Sequence, residues 1–210
     1  MPVTALIPFK PGNPKTRLSC VLDADERITF ARLMLADVVR AVRGAGCEPR
    51  IISTEEYSCS IAVVDVIPGG LNETLNDLLE VMDGEVLIIM SDLPLSNPEA
   101  LVRLITTEHD MAIVPGRGGG TNVIYLSRGS DFRVSYYGSS FLKHLRIAEE
   151  RNLSCEIIDS YRLSTDIDEK EDLPELLIHG QGKSREYLES LGFSISIEKG
   201  RVGVTRPEKT

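Results

Sequence analysis

Glu85-Val-Leu-Ile-Ile-Met-Ser-Asp-Leu-Pro94 is the stretch on which the fold turns. Val86–Met90 is apolar at every position, with no alternation of inward and outward faces. A strand of this kind is buried on both sides, the condition of a central strand in a sheet covered by helices on each face. It stops at Ser91-Asp92-Leu93-Pro94, so a carboxylate stands at the strand end.

Upstream, Val3–Pro8 reads as a buried first strand and Phe9–Leu18 as a loop punctuated by Pro11, Gly12 and Pro14. Ile28, Ala31, Leu35, Val38, Val39 and Val42 recur at helical spacing, which predicts a helix over Asp25–Arg43 ended by Gly44 and Gly46. Strands follow at Arg50–Ser53 and Ile61–Ile67, then a helix over Leu71–Met82. Downstream, a helix from Pro98 to about Glu108 starts after Asn97, a capping residue. Strands Met111–Val114 and Val123–Ser127 flank a glycine loop, a helix runs from about Ser139 to Arg151, and Ser154–Ile158 is a further strand. Thr165-Asp166-Ile167-Asp168 opens a helix running through about His179. The tail from Lys183 adds a helix and a hairpin of Ser194–Glu198 with Arg201–Thr205. Alternating strands and helices predict an α/β, Rossmann-like three-layer fold with a mostly parallel mixed sheet. Without repeats or linkers, residues 1–210 read as one domain, with 183–210 a C-terminal extension. The first strand is not followed by G-x-G-x-x-G, so the dinucleotide fingerprint is missing.

Composition narrows the function classes. Net charge of −9 argues against nucleic acid or an anionic membrane as the main partner. No run approaches the length of a membrane span, and no basic region precedes the short apolar run at the N-terminus, so neither a span nor a signal peptide is expected. Cys20, Cys47, Cys59 and Cys155 lack CxxC spacing and read as buried free thiols of a cytoplasmic protein. His109, His144 and His179 are isolated, and without G-x-S-x-G nucleophilic hydrolysis has no support.

Three groups of residues carry chemistry. In Pro115-Gly-Arg-Gly-Gly-Gly-Thr-Asn122, consecutive glycines let backbone N–H groups lie against a ligand. Arg117, Thr121 and Asn122 add a cation, a hydroxyl and an amide, a set suited to phosphate and carboxylate oxygens. A flexible surface loop is the other reading of such a run. Asp92, Asp166 and Asp168 stand at strand ends. Each alone also serves as a cap or turn former. Together, in one crevice, they would repel unless a cation joined them, and all-oxygen ligation suits Mg²⁺. Lys10, Lys15 and Arg17 form a basic island after the first strand, able to wrap a triphosphate and stabilise departing pyrophosphate, and scattered solvated cations are the other reading of the same charge. Asn72 and Asn76, one helical turn apart, suit a base edge or the capping of a helix start.

Ile7-Pro8-Phe9-Lys10 with Lys15-Thr16-Arg17-Leu18, Gly70-Leu71-Asn72, Ser91-Asp92-Leu93-Pro94, Gly118-Gly119-Gly120-Thr121-Asn122, Ser139-Ser140-Phe141 with His144, and Asp166-Ile167-Asp168 together resemble the 2-phospho-L-lactate guanylyltransferase family. Members of that family make an intermediate of the deazaflavin redox coenzyme. The resemblance runs in order from Ile7 to about Leu173. It implies a nucleotidyltransferase fold of the kind shared with sugar-nucleotide transferases, a cytoplasmic homodimer, and transfer of GMP from GTP to 2-phospho-L-lactate with release of pyrophosphate. Phosphoenolpyruvate or 3-phosphoglycerate, accepted by related enzymes, would be alternative acceptors.

By the same resemblance, Asp92, Asp166 and Asp168 would hold Mg²⁺, and Lys10, Lys15 and Arg17 would hold the triphosphate and act in catalysis with Asp92. Gly70, Leu71, Asn72 and Asn76 would lie near the base. Arg117, Gly119, Gly120, Thr121, Asn122, Gly138, Ser139 and Ser140 would bind the acid. The chain departs from the family at Tyr136-Tyr137-Gly138-Ser139-Ser140-Phe141, where members often carry Phe-Gly-x-Gly-Ser-Phe, and the tail after Gly182 has no counterpart. A nucleotidyltransferase making a sugar nucleotide or cofactor dinucleotide, and a non-catalytic nucleotide-binding domain, are the rival readings.

Overall fold

All four side chains of Val86–Ile89 are buried in the middle of the sheet. Successive side chains of a strand point to opposite faces, so Leu87 and Ile89 enter one core while Val86 and Ile88 enter the other. The computed structural model describes residues 2–198 and 200–207. In chain order the elements are β1 (Thr4–Phe9), α1 (Ala24–Gly44), β2 (Glu48–Ser53), β3 (Val63–Val66), α2 (Leu71–Glu80), β4 (Val86–Ile89), α3 (Pro98–Ile105), β5 (Met111–Pro115), β6 (Thr121–Leu126), α4 (Ser140–Glu150), β7 (Cys155–Ile157), α5 (Tyr161–Ser164), α6 (Leu173–His179), α7 (Lys183–Ser190), β8 (Ser194–Glu198) and β9 (Arg201–Thr205). A 3-10 turn, Thr16–Cys20, precedes α1, and another, Lys170–Asp172, precedes α6.

The described residues form a seven-stranded sheet in the order β3-β2-β1-β4-β6-β5-β7. Every pairing is parallel except those of β6, which runs antiparallel to both β4 and β5. A second sheet pairs β8 with β9. Helices α1 and α3 cover one face through Leu35, Val38, Val42, Leu101 and Leu104. Leu75 and Leu79 of α2 and Ala148 of α4 cover the other. This is the expected three-layer α/β fold with a mostly parallel mixed sheet.

The largest difference from expectation concerns Thr165–Asp168. The segment does not open a helix: it is irregular, between α5 and the 3-10 turn at 170–172. Asp172 fixes it, accepting from the N–H groups of Asp168 (3.0 Å) and Glu169 (2.8 Å). The capping carboxylate thus belongs to Asp172, and Asp166 and Asp168 remain outside any helix. The thiols also depart from expectation. Cys47 is buried and Cys59 and Cys155 half-buried, but Cys20 is exposed on its 3-10 turn. No helix among the described residues is long and apolar enough to cross a membrane.

The C-terminal segment is built into a third core. Phe193 and Val204 join Leu18 and Leu22 beside the basic island, Phe30 and Met34 of α1, and Ile167 between the two aspartates. Asp37 of α1, 2% exposed, caps α7 by accepting from the N–H groups of Lys183 (2.9 Å) and Ser184 (3.0 Å).

Candidate active site

Parallel strands collect their following loops along one edge, where open α/β sheets keep ligands. Lys10 follows β1, Asp92 follows β4, and the glycine loop joins β5 to β6 at the same edge. The Asp166–Asp168 segment is tied there directly, since the Ile167 N–H donates to the Asp92 carbonyl at 3.0 Å.

The ammonium of Lys15 sits between two of the aspartates. It lies 2.8 Å from Asp92 Oδ2 and hydrogen-bonds Asp168 Oδ1. Burial works against the charged lysine, but the Asp92 and Asp168 carboxylates outweigh it and hold the Lys15 pKa above the ordinary value. The loop presenting Lys15 has a costly backbone: Asn13 (φ 41°) and Lys15 (φ 53°) are both left-handed. Arg27, 8% exposed on α1, braces it, donating to Asn13 Oδ1 (3.1 Å) and to the Pro14 carbonyl (2.9 Å). Arg17 points outward and pairs with Glu169 at 3.2 Å. Lys10 is exposed and makes no ion pair among the described residues.

Asp166 does not share Lys15. It accepts from Asn122 Nδ2 at 3.4 Å, and Asn122 also donates to the Leu163 carbonyl at 3.0 Å. Burial first, and then the nearby charge of Asp92, raises the Asp166 pKa above the usual carboxylate value. The buried Asp92 Oδ1 has no hydrogen-bond partner among the described residues. No group of three acidic, histidine or cysteine side chains stands at cation-holding spacing among the described residues. The three aspartates therefore meet at one edge, but two of them close on a lysine.

Two cavities adjoin at Phe9 and Lys10, which line both. The first, of about 340 Å³, holds the basic island: Gly12, Lys15, Thr16 and Arg17 face Asp92 and Asp168. The second, of about 540 Å³, has an apolar floor of Ile52, Ile67, Leu71 and Leu75 beside Gly69 and Gly70.

The glycine loop is a hairpin. The Gly116 N–H donates to the Gly120 carbonyl (2.9 Å) and the Gly119 N–H to the Gly116 carbonyl (3.1 Å), so these two N–H groups close the turn rather than face outward. Gly119 takes φ 80°, which strains any side chain. A Cβ at Gly116 would stand 2.5 Å from Asn122 Oδ1. Thr121 and Ser140 are buried behind the hairpin, 4% and 2% exposed. His144 fastens them. The Ser135 N–H donates to His144 Nε2 at 2.8 Å, which leaves Nδ1 to donate to the Thr121 hydroxyl at 2.9 Å, and Ser140 donates to the same hydroxyl at 3.2 Å. Burial pushes the His144 pKa down to about 4, with Lys143 adding to it. Gly138, Ser139 and the side chain of Arg117 are exposed at this edge.

Asn72 and Asn76, read from sequence as suited to a base edge, are engaged by backbone. Each clasps an extended backbone, Asn76 at Val134 (2.7 and 3.1 Å) and Asn72 at Tyr136 (2.6 and 3.3 Å), so both amides are occupied. Gly70 and Leu71 line the apolar cavity.

The sequence matches the model of the CofC-like guanylyl transferase family over residues 3–207, so the tail after Gly182, read from sequence as without a counterpart, lies within the family down to residue 207. The chain belongs to that family. Among relatives of this guanylyl transferase, the "2-phospho-L-lactate guanylyltransferase" of Methanoculleus marisnigri is 57% identical over 96% of this chain and 95% of the relative. That of Methanoregula boonei is 55% identical over 97% and 95%. Solved structures share the fold at low identity. A chain from Desulfovibrio desulfuricans G20 described as a nucleotide-diphospho-sugar transferase has a TM-score of 0.74 at 17% identity, covering 91% of this chain and 96% of its own. A 2-C-methyl-D-erythritol 4-phosphate cytidylyltransferase from Thermus thermophilus has 0.54 at 14% identity, covering 85% and 97%.

In this guanylyl transferase, sequence reasoning gave no role to Arg27 and no separate role to His144. Arg27 looks like one more charge on an amphipathic helix, because its partners lie in the preceding loop. His144 is one polar residue in α4, and its contacts with Ser135 and Thr121 exist only once the chain is folded.

Proposed function

We propose that the protein transfers GMP from GTP to 2-phospho-L-lactate, releasing pyrophosphate, for deazaflavin coenzyme biosynthesis. The observation that carries this reading is the pair of adjoining cavities at the C-terminal sheet edge. One is apolar with a glycine rim, the other basic with the half-buried Asp92 and Asp168, and Lys10 stands between them. Family membership supports the guanylyl part, and the relatives' names support the acceptor.

A phosphate oxygen of the acceptor attacks the α-phosphorus of GTP, and the bond from that phosphorus to the β-phosphate oxygen breaks. The attacking oxygen is already ionised at neutral pH, so no protein base is needed. Catalysis is alignment and charge neutralisation. Lys10 and Arg17 hold the outer phosphates and stabilise the leaving pyrophosphate, while Lys15 keeps Asp92 and Asp168 together. Arg117, Gly120, Ser139 and the exposed backbone at Gly138 face the acid, with Thr121, Asn122 and Ser140 holding that rim from behind.

Mg²⁺ is part of this proposal. Asp92 would offer it a buried, unpartnered oxygen, and Asp166 and Asp168, which do not stand at cation-holding spacing while Lys15 pairs with Asp92 and Asp168, would turn toward the ion to complete an all-oxygen set. When bound, the ion would neutralise phosphate charge. A homodimer acting in the cytoplasm completes the proposal. The exposed Val63 and Val66 on edge strand β3 give a second copy a surface to cover, and analytical ultracentrifugation tests the dimer.

Incubation with GTP, Mg²⁺ and a panel of 2-phospho-L-lactate, phosphoenolpyruvate and 3-phosphoglycerate tests the reaction. Pyrophosphate should appear fastest with phospholactate. Preference for another acid would replace the acceptor, and no release with any of them would refute guanylyl transfer to this class.

A further inference from the structure

The apolar cavity lacks the polar readers that the sequence offered for it, since Asn72 and Asn76 are bound to backbone. One carboxylate is present instead. Ser53, fully buried at the end of β2, turns the chain: its hydroxyl donates to the Glu55 carbonyl at 2.6 Å and accepts from the Glu55 N–H at 3.3 Å. This Ser turn fixes the backbone of Glu55 where it lines the cavity. The Glu55 side chain leans toward the first loop, with both carboxylate oxygens 3.0 Å from where a Cβ on Gly12 would stand. A glycine at that point leaves the carboxylate room. Glu55 makes no side-chain hydrogen bond or ion pair among the described residues, even though Lys10 lines the same cavity.

The chemistry of such a group is selective. Guanine presents two adjacent donors, N1–H and the 2-amino group, and one carboxylate accepts both side by side. Adenine presents a ring-nitrogen lone pair at the same place, so the carboxylate faces an acceptor and loses both bonds. We propose that Glu55 reads the guanine edge and sets the preference of this site for GTP over ATP. The inference rests on the guanylyl reading above and adds the residue that enforces it. The apolar floor holds the ring faces, Glu55 takes the donor edge, and Lys10 marks the way to the phosphates.

The test compares kcat/KM for GTP, ITP and ATP in the wild type, Glu55→Gln and Glu55→Ala, with melting temperature as a control for folding. ITP carries N1–H but lacks the 2-amino group. The wild type should rank GTP above ITP above ATP. Glu55→Gln should lower the GTP-to-ATP ratio by about 10- to 100-fold, the scale of hydrogen bonds to a charged group. The change should fall mainly on KM for GTP, and GTP and ITP should converge. Glu55→Ala should behave alike at an unchanged melting temperature. A wild-type preference for GTP that survives in both variants overturns the role of Glu55 and leaves the guanylyl reading standing. Equal losses with GTP and ATP overturn it too, since they point to the ribose or the loop. Equal use of GTP and ATP by the wild type contradicts the guanylyl reading and this inference together.

Discussion

Burial, charge and a missing partner coincide at Asp92. One of its oxygens takes the Lys15 ammonium and the other, buried, takes nothing among the described residues. Replacing it with Asn keeps the shape and removes the charge. Asp92→Asn should lower turnover by a factor on the order of 10² or more while circular dichroism stays native, given what positioned electrostatics contribute. Undiminished Mg²⁺-dependent turnover would remove Asp92 from the metal site. His144 gives a second prediction at this scale. Its folded pKa of about 4 lies below the ordinary 6.5, so the unfolded chain binds the extra proton more readily. The stability it contributes is full above pH 6.5 and is lost as pH falls toward 4, by a few kcal/mol at most. Urea denaturation across that window should show a steeper fall for the wild type than for His144→Gln. Parallel curves would mean that His144 is not held neutral by its setting.

At the scale of elements, the glycine hairpin and the basic loop are both held from behind. Thr121 was read from sequence as facing the acid, but its hydroxyl is buried between His144 and Ser140. Thr121→Val should therefore cost about 1–3 kcal/mol of stability, the penalty for leaving His144 Nδ1–H unpaired, while KM for GTP stays near the wild-type value. A variant of unchanged stability with a raised acceptor KM would restore the direct role. The basic loop depends on Arg27. Arg27→Met keeps the helix but strips the brace from two left-handed residues. KM for GTP should rise roughly tenfold or more through misplacement of Lys15. Wild-type kinetics would show that the loop holds its own shape.

Across the molecule, what was legible in the sequence follows from how local its cause is. The interior strands β1, β4, β5 and β6 were readable because short apolar runs bounded by turn residues suit a strand covered on both faces. The edge strands were drawn too long, since Ile61–Ile67 pairs only over Val63–Val66, where β2 supplies partners. The loops carrying Lys10 and Asp92 were legible as charges at strand ends, whereas Asp168, read at a strand end too, follows α5. The pairing of Lys15 with Asp168, the brace from Arg27 and the clasping by Asn72 and Asn76 were not, because each joins segments that meet only in the fold. The C-terminal segment was opaque for the same reason. Arg206 reaches back across the chain to Glu26 (2.6 Å) and the Val21 carbonyl (2.8 Å), stacking over Phe193. Arg206→Ala should lower the melting temperature by several degrees, the shift expected for about 2–3 kcal/mol in a chain of this size. A native melting curve would make the segment an appendage after all.

The central claim is that a guanylyl group crosses from GTP to a phosphorylated acid at the edge where Asp92, Asp168 and Lys15 meet. Mass spectrometry of a reaction containing GTP, 2-phospho-L-lactate and Mg²⁺, with pyrophosphate measured in the same tube, tests it most directly. An adduct of GMP and phospholactate joined through a diphosphate should form with one pyrophosphate per adduct, and both should be lost in Asp92→Asn. Pyrophosphate without the adduct, or an adduct formed equally well by Asp92→Asn, would contradict it.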